Sequence, residues 1–273
     1  MTPFIQNHIL CERREGLSSS QEERVVQGAA LVRDIPLKRT DQSRLKEHQA
    51  ALCAGAALPV GSISYLREAM RLSGVLEPEN FSYPRALDAY LHRTIETRRA
   101  GQIVGEYFVK PKHTKVFTGC VFNTLDNPEH LSAHDRIQYQ AFSALSPEEP
   151  VWVCAPVRWL NEARYYVLKG ELLGSGLYGE YPDEAPQPDP AIVLRMIDDF
   201  TSTPGAPSAF ALDVGVLSDG HTALVECTDA WAVGYYKGSL SAFDYLRFLS
   251  ARWAELLDGP ASLHSSRTHT KEK

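Results

Sequence analysis

The strongest constraint in the chain lies between Asp213 and Asp229, in the run Asp-Val-Gly-Val-Leu-Ser-Asp-Gly-His-Thr-Ala-Leu-Val-Glu-Cys-Thr-Asp. Two β-prone segments flank Asp219-Gly220, a pair that favours a tight hairpin turn. A loop of those two residues fixes the register. Ser218 then faces His221, Val216 faces Ala223, Val214 faces Val225 and Asp213 faces Glu226. Side chains alternate along a strand, so the Asp213 and Glu226 carboxylates share one face and oppose each other. Leu212, Val214, Val216, Ala223 and Val225 fall on the other face, which reads as a core face. A three-residue loop with a bulge would break this register.

Like charges directly opposed across a sheet are destabilising, so the pair calls for compensation. Mg²⁺ is the economical answer, since it takes one or two carboxylates and completes its shell with water and phosphates. The other reading is two solvated acids on an open sheet face. The hairpin alone supports both.

Composition narrows the classes. A net charge of −6 gives no basic field for nucleic acid or an anionic membrane. No apolar run is long enough to span a bilayer, and Met1–His8 lacks a basic start and an apolar stretch, so a cytoplasmic location is expected. Cys11, Cys53, Cys120, Cys154 and Cys227 are scattered and odd in number. They read as free thiols in a reducing compartment.

Along the chain, the first 75 residues alternate strand and helix. Strands are expected near Phe4–Leu10, Val32–Leu37 and Ala57–Gly61. Helices are expected from Ser18 to about Leu31, over Gln42–Ala51 and after Ser62. This is a small open-sheet α/β module. Leu76–Pro84 is a linker by composition, and Pro84 opens a helix carrying Leu87, Tyr90, Leu91 and Ile95. Arg93, Arg98 and Arg99 would lie on its solvated face. Strands dominate from there: Glu106–Pro111, Lys115–Phe122, Pro150–Val157 and an Arg164–Leu177 hairpin. Helices are expected over Ala191–Phe200 and Ser241–Leu257. The expected organisation is an α/β module over 1–75, a larger α+β domain over 76–257 and a disordered tail over 258–273.

No glycine-rich dinucleotide loop, Walker A sequence, nucleophile elbow or zinc-helix motif is present. Successive strands instead carry Lys110, Lys115, Arg164 and the Asp213/Glu226 pair. Cations that neutralise phosphate oxygens and acids that hold a metal are the ingredients of a nucleoside triphosphate–Mg²⁺ site.

At this point the sequence resembles a family. Phe108-Val-Lys-Pro111, Lys115-Val-Phe-Thr-Gly119, Val151–Val157, Glu162-Ala-Arg-Tyr-Tyr-Val167 and above all Leu212–Trp231 look like a compact ATP-grasp domain of a bacterial and phage clade. The likeness covers about residues 55–255. It implies an ATP-grasp fold behind the small N-terminal subdomain, with ATP between two β-rich subdomains. Lys110 and Lys115 would meet the phosphates. The backbone at Cys154, Ala155 and Val157 would form the hinge against adenine. Arg164 would act on phosphate or the incoming carboxylate, with Lys115 as its catalytic partner. Asp213, Glu226 and Thr228 would hold Mg²⁺. The reaction implied is ATP-dependent ligation of a carboxylate to an amine through an acyl phosphate, on an amino acid, peptide or protein end.

Two departures bear on activity. The family's metal motif usually ends Glu-x-Asn, and here Thr228 stands at its end. An acid is common where Ala155 stands. The alternative from another class is a catalytically weakened ATP-binding module. Tyr178–Pro190 and Trp231–Gly238 would build the acceptor pocket, with Tyr235, Tyr236 and Lys237 lining it or packing a lid.

Overall fold

The computed structural model describes residues 6–113, 116–178 and 184–259. Lys115, part of the expected acceptor loop and most of the expected tail fall outside the described residues.

The N-terminal module is a three-stranded parallel sheet in the order β2-β1-β3. Its strands are β1 (His8–Glu12), β2 (Leu37–Thr40) and β3 (Ala57–Val60). β1 is central, with Ile9 opposite both Leu37 and Leu58. Helix α1 (Gln21–Val32) starts at a capping box, in which the Ser20 hydroxyl accepts from the Glu23 N–H and the Glu23 carboxylate accepts from the Ser20 N–H. Val32 ends that helix rather than starting a strand, so β2 begins five residues later than expected. The expected helix over Gln42–Ala51 is a 3₁₀ segment running into the short α2 (Gln49–Cys53). Helix α3 (Ile63–Ser73) is capped by Ser62 and stops at Gly74, whose φ of 71° suits glycine.

After the linker the expected helix fails. Arg85–Tyr90 is a 3₁₀ segment, and the chain then turns into β4 (Glu96–Arg99). Arg98 and Arg99 therefore sit on a strand, not a helix face. β4, β5 (Glu106–Pro111), β6 (Cys120–Asn123) and β7 (Pro150–Cys154) form an antiparallel sheet in the order β4-β7-β5-β6. Helix α4 (Ala133–Ser143) covers it through Phe142, which packs against Phe122 with ring centroids 4.8 Å apart. Hydrophobic periodicity did not announce α4, because the exposed Ile137 blurs its apolar stripe.

The third sheet runs β11-β10-β8-β9 and is antiparallel throughout. It contains β8 (Trp159–Leu168), β9 (Glu171–Leu177), β10 (Ala209–Leu217) and β11 (Thr222–Asp229). β10 is buried along its whole length. One face meets α5 (Pro190–Thr201), where Val193, Met196, Ile197 and Phe200 pack on Val167, Leu212, Val214 and Leu224. The other face meets α6 (Ala242–Asp258), and that core continues without a break into Ile9, Leu10, Leu58 and Met70 of the N-terminal module. No disulfide joins the cysteines among the described residues. Among the described residues no helix is long and apolar enough to cross a membrane.

α6 is fastened to the sheet by a buried ion pair. Arg252 donates from Nε and Nη2 to both oxygens of Asp229, at 2.8 and 2.6 Å. Removing one partner strands a buried charge, which costs about 3–5 kcal/mol. Arg252→Leu should therefore lower unfolding free energy by about that amount in urea denaturation. The paired change Arg252→Leu with Asp229→Leu should lose less than the single one.

Candidate active site between the second and third sheets

The hairpin loop is Ser218-Asp219-Gly220, one residue longer than the sequence suggested. The Leu217 N–H bonds the His221 carbonyl at 2.9 Å, and Gly220 sits at φ +90°. Val216 thus faces Thr222, Gly215 faces Ala223 and Val214 faces Leu224. The register then shifts between Asp213 and Val214, leaving Val225 as a bulge. The extra loop residue and the bulge cancel, and Asp213 still pairs with Glu226. The expected core face is corrected on β11: Leu224 and Cys227 are buried there beside Leu212 and Val214, Ala223 follows Gly215 to the Asp213 face, and Val225 lines the cleft.

The bulge has a clasp. Arg93 donates to the Leu224 carbonyl at 2.7 Å and to the Val225 carbonyl at 3.0 Å. Its guanidinium lies 5.2 Å from the Trp159 ring centroid. The helical periodicity that placed Arg93 in solvent was misleading, because the helix ends before it.

Three strands of one sheet and one strand of its neighbour assemble a single row of charge. Arg164 on β8 lies directly opposite Asp213 on β10, which lies opposite Glu226 on β11. Arg164 binds Asp213 through two hydrogen bonds of 2.7 Å, with the residues 8% and 6% exposed. Lys110 reaches from β5 across the cleft and pairs with Glu226. The opposed carboxylates are therefore compensated by one cation each. Burial works against the charged form of Arg164, but Asp213 outweighs it and holds the guanidinium firmly protonated. On the far side, Gly176 faces Arg164; a Cβ there would stand 2.7 Å from Ser239 Cβ, so glycine lets the following loop close in. That loop lays the Tyr236 ring 4.5 Å from the Arg164 guanidinium carbon.

The row lines a cleft of about 720 Å³ between the second and third sheets. Cys154 and Val157, at the crossing from β7 to β8, line its wall together with Phe108, Tyr83 and Trp159. Thr228 lines it beside Glu226, two residues along the same strand face. Ala155 is solvent-exposed and is not among the lining residues. Of the acceptor-loop candidates, Tyr236 faces the cleft, Tyr235 packs on Tyr245 at 5.2 Å, and Lys237 is exposed. Tyr178 meets Tyr236 edge-on at 5.5 Å. Sequence reasoning missed Arg93, which carried no local signal. It also passed over Glu162, which strand alternation puts on the Arg164 face.

Glu162 also lines the cleft, with no cation in an ion pair with it among the described residues. Burial, reinforced by Asp213 and partly opposed by Arg93, pushes its carboxyl up to about 7. A raised carboxyl binds a proton in the folded state that the unfolded chain has already released. Its contribution to stability is present below the unfolded value and is lost as pH rises through about 7. Glu162→Gln should melt a few degrees above the parent at pH 8, with the difference vanishing near pH 4.5, in melting curves recorded across that range.

The profile of the ATP-grasp domain, R-two-K clade, family 2, matches residues 90–246. No curated protein sequence matches the chain. Among solved structures, the crystal structure of D-cycloserine synthetase DcsG superposes with a TM-score of 0.50 at 12% identity, over 91% of this chain and 99% of that one. The ADP complex of PurK, N5-carboxyaminoimidazole ribonucleotide synthetase, gives 0.50 at 10% identity, over 92% and 79%. Both likenesses concern the fold. With more than half of its length matched by the family profile, the chain belongs to the ATP-grasp family, in family 2 of that clade.

Proposed function

We propose that the protein is an ATP- and Mg²⁺-dependent carboxylate–amine ligase acting through an acyl phosphate, on an amino acid, peptide or protein end. In this reading residues 76–257 form the catalytic domain and 1–75 a smaller subdomain set against it. The observation that carries it is the Arg164–Asp213–Glu226–Lys110 row facing a cleft between two sheets.

The site's donors suit the ion. Asp213 and Glu226 offer hard oxygen ligands on one sheet face, with the Thr228 hydroxyl beside Glu226. Among the described residues no three His, Cys, Asp or Glu side chains gather as a metal cluster. That suits an ion completing its shell from phosphates and water rather than from a protein cage. When bound, Mg²⁺ neutralises phosphate oxygens and leaves the transferring group more electrophilic. Lys110 and Arg164 have a second role open to them: turning from the acids to an incoming triphosphate.

The chemistry asks for positioning and charge neutralisation rather than strong acid–base catalysis. A substrate carboxylate oxygen bonds the γ-phosphorus while the bond to ADP breaks. The amine nitrogen then bonds the acyl carbon, the carbon–oxygen bond to phosphate breaks, and the nitrogen loses a proton. Arg164 is the residue suited to hold the carboxylate or the phosphoryl oxygens. The cleft wall at Cys154 and Val157, with Tyr83 and Phe108, is suited to adenine. Lys115 is kept in its proposed role on the phosphates.

The alternative, a nucleotide-binding module with weakened turnover, is favoured by Thr228 standing where the family usually has asparagine. Calorimetry with Mg·ATP and an ADP-release screen over acids and amines, with product mass as readout, tests both. The ligase reading expects saturable Mg·ATP binding, a loss of at least tenfold in Asp213→Ala, and ADP release coupled to an amide product. Binding without release, restored by Thr228→Asn, would establish the weakened module. A phosphorylated product would identify a phosphotransferase.

A further inference from the structure

A second cavity, of about 210 Å³, opens behind the active-site cleft. It lies at the carboxyl ends of β1 and β3, where the chain leaves the two strands for different helices. In open parallel sheets this is where ligands settle. Two helix starts border it, at Ser20 and Ser62. Each already has a carboxylate of the chain beside it. The Ser62 N–H is taken by the Glu12 carboxylate at 2.6 Å, and the Ser20 N–H by Glu23.

The cavity is apolar in body and acidic at its mouth. Val60, Leu66, Met70, Leu249 and Trp253 form much of the wall. At the polar end, Arg14 pairs with Glu23 at 2.8 Å. Glu22 makes no ion pair among the described residues; its Oε1 accepts the Tyr235 N–H at 3.0 Å. Trp253 is 4% exposed, and its indole N–H meets no acceptor among the described residues.

Gly234 belongs to both cavities. A Cβ built on it would lie 3.2 Å from Glu22 Oε1 and 3.8 Å from Arg164 Nη1. Its carbonyl is held by the Tyr166 hydroxyl at 2.8 Å. Gly234 is thus a thin shared wall, with the Glu22 carboxylate close on one side and the Arg164–Asp213 pair on the other, and a side chain there would crowd Glu22.

Resting on the ligase reading above, we infer that this cavity seats the apolar side chain of the amine substrate, with its ammonium against Glu22 and its nitrogen facing the active site past Gly234. The occupant is a primary α-amine bearing a leucine-sized hydrocarbon group, either a free amino acid derivative or a peptide amino terminus. The charge at the mouth selects the cation. The cavity volume selects the side chain.

Trp231 and Trp253 both line the cavity, so intrinsic fluorescence reads its occupancy. The probes are leucinamide (either enantiomer), glycinamide, and 4-methylpentanoate as an anion with the same hydrocarbon body. Each is titrated into the full chain with and without Mg·ATP, and Mg·ATP binding is measured separately by calorimetry. Leucinamide should bind at least tenfold more tightly than glycinamide, as burial of its side chain requires, and 4-methylpentanoate should bind worst. Glu22→Gln should weaken leucinamide tenfold or more, and Leu66→Trp should fill the cavity and abolish the response, both with unchanged Mg·ATP affinity and circular dichroism. Equal binding of leucinamide and glycinamide, preference for the carboxylate, or an unaffected Glu22→Gln variant would overturn the assignment. Failure of Mg·ATP to bind would remove the ligase reading alone and leave the selectivity of this cavity standing.

Discussion

Everything at the active site depends on how four charges share one row. Arg164 and Asp213 are nearly buried, and either would be costly to leave alone there. Their pairing is bidentate and direct across adjacent strands, so the sheet itself sets its geometry. Glu226 is the half-buried end of the row, and its cation comes from a different sheet. The Lys110–Glu226 pair is therefore a contact between the two halves that enclose the cleft. A ligand that takes Lys110 away from Glu226 competes with that contact, which ties binding to the spacing of the sheets.

Small residues decide what else can approach this row. Gly176 opposite Arg164 lets the Tyr236 loop fold over the guanidinium, and Gly234 on that loop lines both cavities, close against Glu22 of the N-terminal module. The continuous core beneath α6 holds the N-terminal sheet against the third sheet. The second cavity is consequently walled by both, and its mouth has a fixed relation to Arg164. The rigid elements supply the positions, and the loop from Trp231 to Gly238 supplies the surface that substrates would touch.

Legibility in the sequence followed the range of the interactions. Ser20, Ser62 and Gly74 are local signals, and the helix boundaries at α1 and α3 obeyed them. Strand alternation located the Asp213/Glu226 pair, but through two compensating errors. The loop chemistry of Asp219-Gly220 fits a three-residue turn as well as a two-residue one, and the bulge at Val225 is fixed from outside the hairpin by Arg93. Arg93 is more than a hundred residues away in the chain, so no local pattern could announce it. The same holds for the cavity at Gly234, which exists because residues near 20, 60, 234 and 250 converge. Glu162 was within reach, since alternation from Arg164 puts it on the site face. Its raised proton affinity was not, because that comes from burial and from a neighbour on another strand.

The two cavities carry opposite electrostatic character, and that asymmetry is the most informative property of the molecule. In the cleft Lys110 and Arg164 are paired with Glu226 and Asp213, Arg93 makes no ion pair among the described residues, and the Glu162 carboxyl is pushed up to about 7, so the balance left for a ligand is positive. The adjoining cavity has a carboxylate of the chain at each helix start, and Glu22 beside Gly234 makes no ion pair among the described residues, so it favours the reverse. A reaction that joins an activated acid to an amine needs this separation. A phosphate-bearing electrophile and an amine that arrives as its ammonium and gives up a proton before attack must be held a short distance apart without exchanging places. Gly234, bare of a side chain, is where those two fields meet.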